Sequence, residues 1–177
     1  IAGAKKLLAE AGYPNGFEFT LDCPNNRYVN DERICQSLVG MWAKAGIRAK
    51  LNSIPFTPFI QKILNLDSSA YLLGWGVATF DALYTLQSLV HTKQTGPDGN
   101  FNQGRISDLK LDNTIGAIKI ATDTKARDAL IKEALEKVRD EAYYLPLHHQ
   151  LRPWAMKKGV TAVHSADDRH QSRFTRV

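Results

Sequence analysis

Five histidines and two cysteines are the residues of this chain best suited to bond-making chemistry. His148 and His149 are adjacent, so on a strand they point to opposite faces and cannot easily share one metal ion. One packed ring and one exposed ring is the expectation there. The others are His91, His164 and His170. Cys23 and Cys35 lack the C-x-x-C spacing of a redox or zinc site. No G-x-S-x-G elbow exists, and Cys35 falls on an apolar helix face. "GPDGNFNQGR" carries Gly96, Gly99 and Gly104, but it follows a helix and matches no phosphate-binding fingerprint. Asp31/Glu32 and Asp167/Asp168 are adjacent carboxylates that read as solvated surface. Asp81 with His148 or His149 would suit a small hydrolase, an alternative that no motif supports. No catalytic constellation assembles, and neither a metal nor a cofactor is called for.

What remains is a set of loop residues with binding character. Arg27 and Tyr28 lie in "PNNRYVND", Trp75 and Asp81 in "GWGVATFD", and Asn102 and Arg105 in a long loop. Aromatic rings supply contact area, while Arg and Asp orient the charged ends of a ligand. Each has a plainer reading. Trp75 would also serve as core, Asp81 as a helix N-cap, and Tyr28 and Arg105 as loop braces. Gly74 and Gly76 are expected to let the chain turn, with Trp75 forming part of a cleft wall.

The elements that must position these residues alternate. A helix from about Ala4 to Ala11 ends at Gly12 and Pro14. "FEFTLDC" puts Phe17, Phe19, Leu21 and Cys23 on one strand face. A second helix starts after Asn30 as N-cap and buries Ile34, Leu38, Met41, Trp42 and Ala45. "IRAKLNS" is a second strand. Thr57-Pro58 opens a short helix with Phe59, Ile60, Ile63 and Leu64 inside. "SAYLLGW" is a third strand. This α-β-α-β-α-β order suggests strands sandwiched by helices with right-handed crossovers, and in an open α/β sheet ligands bind beyond the carboxyl ends of the strands. The second half has a long loop from about Lys93 to Arg105 and helices from about Asp108 to Ala121 and Lys125 to Arg139. Leu111, Ile115 and Ile118 face inward on the first, and Leu130, Ile131, Ala134, Leu135 and Val138 on the second. Glu133 and Lys137 form an i,i+4 pair. "YLPLHHQ" reads as an edge or crossover strand.

The 177 residues are 44% hydrophobic and 23% charged, which suits a packed domain. No apolar run reaches the roughly 18 residues of a membrane span. The net charge of +5 is scattered, densest from Arg152 to Arg176, with no basic block interleaved with aromatics. A nucleic-acid-binding module is therefore an alternative with charge alone behind it. Cys23 ends a strand and Cys35 sits in the first turns of the next helix. A bridge is sterically allowed and would close a loop of about 13 residues, contributing on the order of 3 kcal/mol. Two buried thiols are the other option. The chain opens at Ile1 with a helical face already under way, so it is expected to be a piece of a longer one.

The order of segments resembles the extracellular solute-binding proteins of family 5, the dipeptide-, oligopeptide- and nickel-binding components of ABC transporters. The segments are "AKKLLAEAGYPNGFEFTL", "GIRAKLNSIPFTPFIQKI", the strand leading to "GWG", "NFNQGRISDLKLDNTI" and "ARDALIKEALEKVRDEAYYLPLHHQLRPWAMKKGV". The resemblance implies an α/β lobe of the type II periplasmic-binding-protein kind, with helices around a mixed β-sheet, in a larger two-lobed protein. Residues 1–150 would be the C-terminal ligand-binding lobe and 151–177 a returning tail. It also implies a monomeric, non-enzymatic periplasmic protein that captures a peptide or other small solute and hands it to an inner-membrane permease. In peptide binders an acid shortly after the strand-three tryptophan pairs with the ligand's amine. Ala78 stands at the matching position and Asp81 falls a few residues late.

Overall fold

The computed structural model describes all residues except Ala78, Arg152, His164, 166–170 and Val177. Expectations placed on Ala78, His164, Asp167, Asp168 and His170 therefore lie outside the described residues. The chain divides into two compact units, Ile1–Trp75 and Gly76–Val177.

The first unit alternates helix and strand as its sequence pattern predicts. Its elements are α1 (Ala2–Glu10), β1 (Glu18–Pro24), α2 (Asp31–Ala45), β2 (Arg48–Ile54), α3 (Phe56–Leu64) and β3 (Ala70–Tyr71). The strands pair in parallel in the order β2-β1-β3. The expected mixed sheet is thus parallel throughout its described strands. "YLPLHHQ" joins no ladder, and Pro146 has no N–H to offer one. β3 is also far shorter than "SAYLLGW" suggests: the ladder ends at Tyr71, with one further bond from Leu72 N–H to the Asp22 carbonyl (3.1 Å).

β1 is the middle strand and is covered on both faces, as parallel strands require. Leu21 and Cys23 pack with Cys35, Val39, Trp42, Leu51 and Leu72. The opposite face holds Asp22, at 0% exposure. Its carboxylate accepts hydrogen bonds from Asn52 Nδ2 and Ser68 Oγ, each at 2.6 Å, and Lys62 Nζ lies 3.8 Å away. Period-2 alternation marks this face as the polar one, and so misses that a polar residue is buried there.

Two helices differ from expectation at their ends. Asn30 precedes α2 with φ 60° and makes no side-chain cap; the neighbouring Asp31 carboxylate does that work instead. α3 begins at Phe56 rather than after Thr57. Pro58 then occupies the third helical position, where the missing N–H would have had no helical partner. The Phe56 N–H is capped from outside by Asn26 Oδ1 at 2.9 Å. Phe59 and Ile63 are buried as predicted, whereas Met41 and Leu64 are exposed at the margins of their helices' inner faces.

In the second unit α4 (Ala82–Thr85) runs into a π-helical turn, Leu86–Val90, followed by α5 (Leu109–Ile120) and α6 (Thr124–Asp140). The carbonyls of Gln87 and Ser88 are taken by the loop amides of Gly99 (2.8 Å) and Phe101 (3.0 Å). Leu86, Leu89, Val90, Leu111, Ile115, Ile118 and Ala134 form the core; Leu135 is exposed. The expected Glu133–Lys137 pair is replaced by contacts between helices. Lys137 Nζ lies 2.8 Å from Asp108 Oδ2, and Glu133 lies 3.4 Å from Lys110. Asp108 caps α5 through Leu111 N–H (3.0 Å) and accepts the Tyr143 hydroxyl (3.1 Å). Lys137 first, then these donors, holds its carboxyl at about 2, below the ordinary 3.8.

Two expectations follow. Asp22→Ala leaves Asn52, Ser68 and Lys62 facing an apolar strand and should cost about 3 kcal/mol in urea unfolding; a loss below about 1 kcal/mol would show the cluster to be dispensable. The folded-state pKa of Asp108 is depressed, so its contribution is complete above about 4 and lost as pH falls towards about 2. Acid titration of stability should show that loss in the parent chain and a flatter limb in Asp108→Asn.

Candidate functional site

The carboxyl ends of β1, β2 and β3 lie side by side in a parallel sheet, and the chain leaving each end brings a side chain of binding character. Beyond β1 comes the loop Asn25–Asn30. Its root is tied to β2 by a bond from Asn25 N–H to the Ile54 carbonyl, 3.1 Å. The exposed Arg27 guanidinium lies 4.9 Å from the Phe56 ring centroid and 5.8 Å from that of Tyr28. Ring faces attract the cation and leave its N–H groups to point elsewhere. The Tyr28 ring packs against Gly74, where an added Cβ would fall 2.6 Å from Cε1. Trp75 follows, half-buried.

Asp31 shapes this loop from beneath. It is 4% exposed. Its Oδ2 accepts the backbone N–H of Arg27 (2.9 Å) and of Tyr28 (3.0 Å), and its Oδ1 that of Glu32 (2.9 Å). Asp31 was expected to be solvated surface; it is buried where two loop amides and one amide of the first turn of α2 converge on its carboxylate. Cys23 and Cys35, the pair left open by their spacing, are bonded to each other.

Arg27, Tyr28 and Trp75 therefore come from one edge, joined by Phe56, which sequence reading assigned to no site. The signal for Phe56 was its place directly after the second strand, next to Pro55. The two glycines around Trp75 have different reasons. Neither has positive φ. Gly74 makes room for Tyr28, while nothing lies within 4 Å of a Cβ at Gly76.

In the second unit Asp81 takes the helix N-cap role of its plainer reading, and Asn102 is engaged within its own loop. Asp81 caps α4 through Leu83 N–H (2.8 Å), and both its oxygens meet the Arg127 fork at 2.9 Å. Arg127 first, then the Leu83 amide, holds its carboxyl below the usual range. It is not the free carboxylate that a hydrolase built with His148 or His149 needs, and both of those histidines are exposed. Asn102 is 3% exposed. Its Nδ2 donates to the carbonyls of His91 (3.0 Å) and Ile106 (2.7 Å), and its Oδ1 accepts from Ile106 N–H (3.0 Å). Such an amide braces the loop and has little left for a ligand. Arg105 is exposed at φ 56°.

Residues 1–97 match the profile described as "Bacterial extracellular solute-binding proteins, family 5 Middle". The chain belongs to this family. Among relatives of this family 5 chain, Heme-binding protein A of Haemophilus influenzae is 26% identical over 84% of the chain. Di/tripeptide-binding protein 1 of Pseudomonas aeruginosa is 29% identical over 90%. The chain spans only 27% and 30% of those proteins. A dipeptide-binding protein from Pseudoalteromonas sp. SM9913, solved with Met-Leu, superposes with a TM-score of 0.83 at 20% identity, over 99% of this chain and 35% of that one. That likeness establishes the periplasmic-binding-protein fold.

The glycine pair offers a direct check. Gly74→Ala should destabilise the chain by about 1–3 kcal/mol in urea, because Tyr28 must shift. Gly76→Ala should stay within about 0.5 kcal/mol of the parent. Equal effects would remove the Tyr28–Gly74 contact from the description of the edge.

Proposed function

We propose that this chain is part of the solute-binding component of an ABC importer. The whole protein captures a peptide or similar small solute between two lobes and delivers it to a permease of the inner membrane. In this reading residues 1–150 belong to the C-terminal ligand-binding lobe and 151–177 to the returning tail. The protein works as a monomer in the periplasm and catalyses no reaction. A disulfide between Cys23 and Cys35 fits an oxidising compartment.

One observation supports the reading: Arg27, Tyr28 and Phe56 meet at the carboxyl edge of a parallel sheet, and the Tyr28 ring packs on Gly74, the residue before Trp75. That edge offers flat apolar surface and one cation with no acidic partner among the described residues. Such a surface grips the body of a small solute and orients its polar end. Arg27, Tyr28 and Trp75 are the proposed contacts there, and Arg105 is the proposed contact of the second unit. Closure of two lobes would add the remaining contacts and exclude water.

The test uses the intact parent protein. Its co-purifying solute is released by denaturation and weighed by mass spectrometry, then returned to the stripped protein by calorimetric titration. Trp75→Ala should weaken that binding by about tenfold or more, one hot-spot aromatic's worth, with cooperative unfolding retained. The 177-residue chain alone should bind far more weakly than the whole. Unchanged affinity in Trp75→Ala would remove Trp75 from the site, and full affinity in the isolated chain would contradict two-lobe capture.

A further inference from the structure

The loop that carries Arg27 and Tyr28 is enclosed. Cys23 lies just before it, at the end of β1, and Cys35 just after it, in the second turn of α2. Their bond, with a Cα–Cα distance of 6.5 Å and a sequence separation of 12, closes a ring containing the whole loop. Both cysteines are fully buried. Asp31 lies inside the ring and is buried too. Two of the three amides its carboxylate accepts belong to Arg27 and Tyr28. A buried carboxylate is costly unless its oxygens are satisfied, so the loop amides and the carboxylate fix one another.

We propose that Asp31 is the positioning residue of this edge. Its carboxylate holds the Arg27 and Tyr28 backbone inside the ring that Cys23–Cys35 closes, so that guanidinium and phenol ring meet a solute already in place. The proposal rests on the reading of this edge as a solute site, and deepens it. Pre-organisation of this kind raises affinity by removing the ordering cost from the binding step. Asp31 touches no solute in this scheme; it acts through its two neighbours. Asn26, accepting from Phe56 N–H, and the Tyr28 ring against Gly74 hold the loop from its other side. With Asp31 altered, the loop keeps its roots and loses its shape.

The carboxylate is specifically suited to this task. It presents two acceptor oxygens and no donor, and all three groups facing it are N–H donors. A carboxamide of the same shape keeps one acceptor and turns an NH2 group towards an N–H on its other side.

Backbone hydrogen exchange on the full-length protein, stripped of its co-purifying solute by denaturation and refolded, tests this. In Asp31→Ala the amides of Arg27, Tyr28 and Glu32 should exchange at least about tenfold faster, while the β1–β2 ladder keeps its protection. Asp31→Asn should release one side only, either Glu32 or the Arg27–Tyr28 pair. Cys23→Ala/Cys35→Ala should speed the same loop amides with the carboxylate intact. Unchanged exchange at Arg27 and Tyr28 in Asp31→Ala and in Asp31→Asn would overturn the proposal. So would an equal rise across β1 and β2 in both, which would make Asp31 merely a stabilising residue. No solute enters this measurement, so it stands or falls apart from the Trp75→Ala titration: local release with unchanged titration would discard the solute site and keep the positioning.

Discussion

A carboxylate with no exposure to water sits near the C-terminal end of the central strand, and the first unit is arranged around satisfying it. Asp22 cannot be left unpaired there without losing several kcal/mol. Its partners are drawn from three places: Asn52 from β2, Lys62 from α3 and Ser68 from the segment just before β3. One side chain thus reads out whether three other stretches are in position. The third partner has the greatest consequence. β3 has only two residues, too few to hold a register by ladder bonds alone. Ser68 on the Asp22 side chain and Leu72 on the Asp22 carbonyl hold it from either end. Gly74 and Trp75 leave the sheet from that short strand, so their placement depends on Asp22.

The next residue along β1 does the complementary work. Side chains 22 and 23 point to opposite faces of the strand. Asp22 turns towards Lys62 and Ser68, and Cys23 towards α2, where it is bonded to Cys35. Adjacent positions at one strand end thereby fix both loops that flank Tyr28: the one it belongs to, and the one that supplies Gly74 beneath its ring. Arg27 is then held by aromatic faces rather than by a carboxylate, and its charge stays available at the surface.

The alternation of the first unit was legible because its strands obey period 2 on the α2 side and its first two helices are stopped by glycine, Gly12 and Gly46. Phe59, Ile63, Leu111, Ile115 and Ile118 were legible for the same reason: apolar residues at helical spacing have few other uses. What escaped was polar burial. Asp22 and Asp31 are, by composition, surface residues, and only the coverage of both sheet faces and the amides at one helix start make them interior. The length of β3 escaped too, since an apolar run does not say how many of its residues find a neighbour. Phe56 was read as the residue before a helix because Thr57-Pro58 is a good start signal; Asn26, some thirty residues away in sequence, supplies the cap that moves the start forward.

The candidate site was legible by residue type and less so by role, for a physical reason. A polar side chain in a loop after an apolar element has the same chemistry whether it greets a ligand or closes the loop. Asp81 and Asn102 close loops: one is spent on Leu83 and Arg127, the other on His91 and Ile106. Arg27 differs in where its partners lie. Its ring partners satisfy its apolar stem and face but accept none of its N–H bonds in the manner of a carboxylate. The cation at the edge is therefore supported without being neutralised, while the two buried acids near that edge, Asp22 and Asp31, are already committed to donors of their own chain. If the proposed solute site lies here, an edge with that balance would favour the negatively polarised end of a solute over its positive end, a bias set by which acids the fold has occupied.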